Sequence, residues 1–306
     1  MNKISLKIIS LLIISFLTIL LFSTSCEKNE GIKDIPSYIQ IDSISVVTDY
    51  FSQGTASNNI TDAWVYIDED FIGTFELPAC FPVLMDGEHI IRIDPGIKLN
   101  GISSTRSPYP FYNPITKNIN LVRGEICKIY EKESINPVSQ DTTRYITTTY
   151  KDNVVFEWME DFESSSLSIK TTSKSDTTIT RVSDEAFEGL WSGKVSLDSI
   201  RNIFEATTKN DFQNPGNNSA IFLELNYKNN NIYNVGIFSN CIDKVIQTPI
   251  IVLNKTDKWK KIYINLTIAV NREYNLITYD PFFEISKEDE VENPEIYFDN
   301  IKLVHF

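Results

Sequence analysis

Histidine is almost missing from this chain: 306 residues contain two, His89 and His305. They fall in segments read below as separate domains, so general acid–base chemistry built on neighbouring histidines has nothing to work with. Glycine is scarce as well, at 11, and neither a Gly-rich phosphate loop nor a G-x-S-x-G nucleophile elbow occurs. The four cysteines, Cys26, Cys80, Cys127 and Cys241, include no C-x-x-C pair, which leaves a zinc site without support. Basic residues are short: 28 Lys and Arg against 41 Asp and Glu, a formal charge of −13. A body this acidic excludes nucleic-acid binding through phosphate contacts. Carboxylate pairs of the kind glycosidases use stay open, because so many acids make so many pairs.

Apart from the N-terminal stretch, amphipathic helical periodicity is also absent. What is present is strand signal, in short runs of Val, Ile, Tyr, Phe and Thr broken by Gly, Pro, Asn and Asp. "AWVYID", "HIIRID", "EICKIY", "IFLELNY", "KKIYINLTIAV" and "EIYFDNIKLVHF" all read this way. The chain is expected to be all-β, a small β-sandwich followed by a jelly-roll β-sandwich. In the last run, apolar residues change parity around Asp299–Asn300, which predicts a bulge or kink there.

The N-terminus carries the one long apolar run. Lys3 and Lys7 precede Ile8–Phe22, interrupted only by Ser10, Ser15 and Thr18. A spanning helix needs about 20 residues, whereas the apolar core of a signal peptide needs roughly 7–15. Ser23, Thr24, Ser25 and Cys26 follow. This order resembles the lipobox of lipoproteins of Bacteroidetes-type bacteria, with Ser23 where leucine is usual. The resemblance implies cleavage after residue 25, lipid on Cys26, and an outer-membrane lipoprotein, surface-exposed if Glu27 and Glu30 act as an export signal. Ordinary secretion with Cys26 incidental and an uncleaved anchor are the alternatives. Loss of residues 1–25 removes two lysines and takes the charge to −15. The membrane would then be a partner through the lipid and not through charge. Three thiols would remain, with Cys80 and Cys127 either paired or lying as small buried residues in strands.

The boundaries expected are 1–25 signal peptide, 26–36 tether, 37–133 first sandwich, 134–153 connector and 154–306 jelly roll. In the first sandwich Val65, Ile67, Asp68, Gly73, Pro82, Leu84, Gly87, His89, Ile91 and Ile93 follow a strand–turn–strand pattern. That pattern resembles the PEGA-type module, which implies an extracytoplasmic structural or binding element without catalysis. Glu69 stands where that module usually has glycine. His89 then reads as a strand-edge residue. The proline-rich stretch that follows presents Arg106, Tyr109 and Tyr112, residue types favoured as binding anchors. It reads either as a rigid loop offered to an envelope partner or as a cap packed over one end of the sandwich.

In the C-terminal segment, Phe162 and Glu163, then Gly189, Ser192, Gly193 and Leu197, then Trp259, then Tyr297, Asp299, Asn300, Ile301 and Leu303 occur in an order that resembles galactose-binding-like and carbohydrate-binding-module jelly rolls. The resemblance implies a structural calcium where first and last strands meet, with Asp161, Glu163 and Asp299 as its carboxylates. Otherwise those acids are solvated or cap turns. No other cofactor is expected. Sugar binding needs exposed aromatics. Trp191, just before a strand, is the leading candidate, and Tyr227 and Tyr233 flank the Asn-rich turn. Trp158 and Trp259 read as core. The leading functional expectation is a lipid-anchored, non-enzymatic binding or scaffold component of the envelope; the alternative is a glycan-binding surface lipoprotein, with a glycan hydrolase third.

Overall fold

In the computed structural model, which describes residues 35–135, 142–216 and 219–306, strands such as β1 and β3 of the first sandwich alternate buried and less buried positions, whereas the central strands of the second are buried along almost their whole length. Cys26 and the proposed signal peptide and tether lie outside the described residues, but for Ile35 and Pro36. The first sandwich holds β1 (Ser37–Ile41), β2 (Ser43–Val47), β3 (Asp62–Ile67), β4 (Asp70–Glu76), β5 (Ala79–Val83), β6 (Gly87–Lys98), β7 (Arg106–Pro108), β8 (Ile115–Leu121), β9 (Ile126–Lys128), β10 (Lys132–Ile135) and β11 (Thr142–Thr149), with one turn of helix, α1 (Tyr50–Gln53). One layer runs β4-β3-β6-β7, with β8 on β6; the other is made by β5-β1-β9 and β10-β11-β2. Ile39, Ile41, Val65, Ile67, Ile91 and Ile93 interdigitate between the layers, as period-two strands with one apolar face require. Asp68 and Glu69 both take positive φ (50° and 69°), the backbone of a tight hairpin turn.

Two expectations change here. The stretch taken as a connector is largely strand β11, which pairs parallel with β2 from Tyr145 opposite Ser43 to Thr149 opposite Val47. The first sandwich therefore runs to Thr149. Nor do Cys80 and Cys127 pair. Strand β1 lies between them, with Gln40 opposite Cys80 and Ile39 opposite Cys127. Two strand spacings, about 9–10 Å, exceed the reach of a disulfide. Cys80, Cys127 and Cys241 are all free thiols.

The jelly roll contains β12 (Val155–Glu160), β13 (Ile169–Thr171), β14 (Thr180–Val182), β15 (Ser192–Ser196), β16 (Ile203–Thr208), β17 (Ile221–Asn229), β18 (Tyr233–Cys241), β19 (Val245–Leu253), β20 (Thr256–Asn265), β21 (Leu276–Ser286) and β22 (Glu295–His305), with helix α2 (Thr267–Val270) after β20. The chain passes back and forth between two antiparallel sheets, β14-β15-β22-β17-β20 with β12 on β22, and β13-β16-β21-β18-β19. In β22, Ile296 and Phe298 face the core, then Ile301 and Leu303. The parity change is absorbed as foreseen by a bulge: Asn226 opposes Asp299, Glu224 opposes Lys302, and Asn300 takes φ 50°.

Residues Ser37–Phe306 cluster as one unit, because the two sandwiches share a third core. Tyr109, Phe111 and Tyr112 of the proline-rich loop pack with Tyr150, Phe222, Tyr263 and Val304, and Tyr109 stands edge-on to Phe222 at 5.3 Å. Asn100 N–H donates to the Tyr263 carbonyl at 2.9 Å, and the Asn59 amide donates to the Lys261 carbonyl at 3.1 Å. The first sandwich thus closes the outer edge of β20.

Candidate functional site

One sheet face has two fates. On β17, Leu223, Leu225 and Tyr227 point into the jelly-roll core, which puts Phe222, Glu224, Asn226 and Lys228 on the outer face. Along β20 the outer positions are Trp259, Lys261 and Tyr263, and on β22 they are Tyr297 and, past the bulge, Lys302 and Val304. The first sandwich covers one half of this face, through Phe222, Tyr263 and Val304. The other half stays open around Trp259, with Tyr297 buried beside it under the Lys194 and Lys228 ammoniums.

The covered half holds a buried polar cluster. Glu224, fully buried, accepts from Tyr109 OH at 2.7 Å and Tyr150 OH at 2.8 Å, and lies 3.0 Å from Lys261 Nζ. Burial opposes its ionisation, yet the Lys261 and Lys302 ammoniums together hold its carboxyl below the usual carboxylate range. Lys302 donates to the Thr55 carbonyl at 2.6 Å, and burial pushes its ammonium down to about 7.

The open half is a cleft of about 790 Å³ lined by Glu185, Lys228, Asn229, Lys258, Lys260 and Tyr297 among others, a size in the range of ligand sites. Beside it lies a hollow of about 250 Å³ formed by Ser57, Asn58, Phe187, Asn226, Trp259 and Lys260. Lys260 lines both, and Ser57 and Asn58 come from the first sandwich. Aromatics form a row across the boundary: Phe187 to Trp259 at 5.9 Å and Trp259 to Tyr297 at 6.3 Å between ring centroids. Trp259 Nε1 donates to Glu185 Oε1 at 2.8 Å, and Lys228 pairs with the other Glu185 oxygen at 2.8 Å. The Lys228 ammonium holds the Glu185 carboxyl below the usual range, against a weaker push from burial. Across the cleft Lys194 pairs with Glu295 at 2.6 Å. Trp259 takes the outer face by alternation with Lys261 and Tyr263, and β20 becomes irregular just before Lys260. Tyr227 opposes Lys260 and Asn229 opposes Thr256, so four steps on β20 match two on β17, and the two extra residues bulge outward.

The residues singled out from sequence are placed elsewhere. Trp191 packs against the jelly-roll core with the Arg181 guanidinium 4.4 Å above its ring, so its free face is already taken. Tyr227 and Tyr233 are core residues, 7% and 1% exposed, and neither offers a face to a ligand. Arg106 pairs with Asp62 and Glu76, and Tyr109 and Tyr112 are buried between the sandwiches; the loop read as offered to an outside partner has an inside one. Asp161 accepts from Glu163 N–H at 3.0 Å and Tyr50 OH at 3.0 Å. Glu163 accepts from the Leu190 and Trp191 N–H groups at 2.7 and 2.9 Å. Asp299 accepts from the Phe187 and Glu188 N–H groups at 3.0 and 3.2 Å. Glu163 and Asp299 thereby anchor the segment that presents Phe187. Among the described residues no group of three or more His, Cys, Asp and Glu side chains could hold a metal ion; each of these three acids accepts from backbone N–H groups of nearby turns.

Trp259 and Phe187 are the accessible aromatics that the sequence did not single out as ligand contacts. A signal for Trp259 was there: Asp257, Lys258, Lys260 and Lys261 surround it, a polar context that a core tryptophan rarely has.

No family model matches the chain, and no curated protein matches it. Among solved structures it is similar to a carbohydrate-binding module described as of the β-sandwich superfamily with promiscuous specificity, at 14% identity over 79% of this chain and 84% of that one, TM-score 0.37. It is also similar to the CBM22-1 xylan-binding domain of Paenibacillus barcinonensis Xyn10C, at 9% identity over 48% and 92%, TM-score 0.35. A third is a family 30 carbohydrate-binding module, at 14% identity over 50% and 84%, TM-score 0.34. None of these scores is high enough to match residues one to one.

Proposed function

We propose that the chain is a non-catalytic glycan-binding protein, held at the cell envelope by lipid on Cys26, and that the ligand lies along Phe187 and Trp259. The observation that carries the glycan reading is that pair of rings: Phe187, exposed, and Trp259, half-buried, beside an open cleft rimmed by amide and charged groups. Aromatic rings cover the apolar face of a sugar, while Ser57 and Asn58, both half-buried at the hollow, supply donors and acceptors for hydroxyls. The acids of the cleft argue against hydrolysis there. A general acid needs a carboxyl raised toward neutrality. Glu185 and Glu295 are both held below their ordinary value, Glu295 by Lys194 and Tyr297 in spite of burial.

Trp259→Ala is expected to weaken binding to the polysaccharide the wild type retains in affinity electrophoresis by about 2 kcal/mol, roughly thirtyfold. Unchanged retention, with an unchanged melting temperature, would remove this cleft as the site. The anchor has its own test. Metabolic labelling with a fatty-acid analogue should mark the wild type and not Cys26→Ser, and equal labelling of both would refute lipidation.

A further inference from the structure

We infer that the glycan taken by this cleft is anionic, a polysaccharide whose sugars carry carboxylate or sulfate groups, with Lys258 and Lys260 beside Trp259 as the residues that select for charge. The inference rests on the glycan reading above and adds the ligand's charge to it.

The argument starts from the charge of the chain. With 41 acids against 28 bases, a cleft formed without selection would be lined mainly by carboxylates and would repel an anion. This one is lined by Lys228, Lys255, Lys258 and Lys260 against Glu185, Asp257 and Glu295. Most of these charges are already matched: Lys228 with Glu185, Lys194 with Glu295, and Lys255 with Glu288. Each such pair leaves its lysine little attraction for a further anion.

Lys258 and Lys260 differ. Both are exposed, and neither is paired with a carboxylate among the described residues. They stand on either side of Trp259 in the strand; Lys258 lines the cleft, and Lys260 lines both cleft and hollow. The cleft beside Trp259 therefore holds two ammonium groups without a carboxylate partner, against one unpaired carboxylate, Asp257. A neutral sugar leaves both ammoniums merely solvated. A carboxylate or sulfate on the ring accepts charge-assisted hydrogen bonds from them. The surrounding negative body sharpens the selection, since an anion gains at this cleft and is repelled almost everywhere else.

The test uses one polymer in two charge states. Binding of the mature protein to polygalacturonate and to the same polymer with its carboxyls methyl-esterified is measured by isothermal titration calorimetry, with dextran sulfate and unsulfated dextran as a second pair. The charged form should bind about tenfold more tightly than its neutral counterpart at low salt, and the ratio should shrink as salt is raised. In the double variant Lys258→Ala/Lys260→Ala the charged-to-neutral ratio should fall toward one. A preference for the carboxylated pair alone, or for the sulfated pair alone, supports the inference and names the group recognised. Equal binding of charged and neutral forms, or a ratio untouched by the double variant, overturns it while the glycan reading stands. If no polysaccharide binds and Trp259→Ala changes nothing, the glycan reading itself fails.

Discussion

Replacing Glu224 with alanine should cost about 3–5 kcal/mol of folding stability, the range found when one partner of a buried charged pair is removed. Four groups depend on this side chain. Tyr109 and Tyr150 donate their hydroxyls to Oε1, Lys261 pairs with Oε2, and Lys302 is drawn to it by charge. Truncation leaves two hydroxyls without an acceptor and two ammoniums without a counter-charge, all inside the contact between the sandwiches. Glu224→Gln keeps an acceptor for the tyrosines and removes only the charge, so its cost should be smaller. Tyr109 belongs to the first sandwich, Tyr150 to the segment that joins the two, and Glu224 to the second, so the loss should appear in the unfolding of both. Urea unfolding followed by tryptophan fluorescence reads it: Trp64 reports on the first sandwich and Trp158 on the second. A loss below about 1 kcal/mol would mean that the cluster rearranges around the gap and that the two sandwiches are less tightly coupled than their shared core implies.

Lys302 gives the second large effect, and it appears as pH dependence. Its ammonium, surrounded by the rings of Tyr150 and Phe156 and facing Glu224, Lys261 and Glu188, is lowered from 10.5 to about 7, with burial as the main cause. A folded value below the unfolded one means that, between about pH 7 and 10.5, the unfolded chain holds a proton that the folded chain has released. Stability therefore rises with pH across that window. The rise should amount to on the order of 2–3 kcal/mol between about pH 7 and pH 9, at about 1.4 kcal/mol per pH unit. Lys302→Met keeps the length and apolar stem, loses the hydrogen bond to the Thr55 carbonyl, and has nothing to titrate. The difference in unfolding free energy between wild type and variant should therefore shift in favour of the wild type as pH rises. A difference that stays constant, or moves the other way, would place a stable charge on Lys302 in the folded protein.

Much of the architecture was legible in the sequence because it is local. The tight turn at Asp68–Glu69 follows from polar residues between alternating strands. The irregularity at Asp299–Asn300 could be read from the change of apolar parity, since a strand cannot keep two parities on one face without a bulge. Features that depend on distant partners were not legible. Nothing in "TTRYITTT" says that it pairs with β2, some hundred residues earlier; its polar surface made it look like a linker because it lies at the exposed side of the first sandwich. Tyr109 and Tyr112 have the composition of a binding loop, and they do bind, but to Phe222, Glu224 and Tyr263 of the same chain. Composition cannot distinguish an inner partner from an outer one. The exchange of roles between Trp191 and Trp259 has the same origin. Trp191 is covered by Arg181, ten residues earlier in sequence but adjacent in space, and Trp259 lies on the part of the outer face that the first sandwich leaves open.

The two asparagines that close the outer edge of β20 bear on how the protein behaves in a crowd of its own copies. An edge strand with free carbonyls and amides is a template for another strand, and the ten-residue β20 stands at the edge of its sheet, open to growth in that direction. Asn59 and Asn100 occupy those positions with fixed hydrogen bonds, and the body of the first sandwich stands in the way of any incoming chain. Separated from residues 37–149, the C-terminal half would present that edge to its neighbours, and it would be expected to assemble into sheets, so the first sandwich acts toward the second as a built-in guard against self-association.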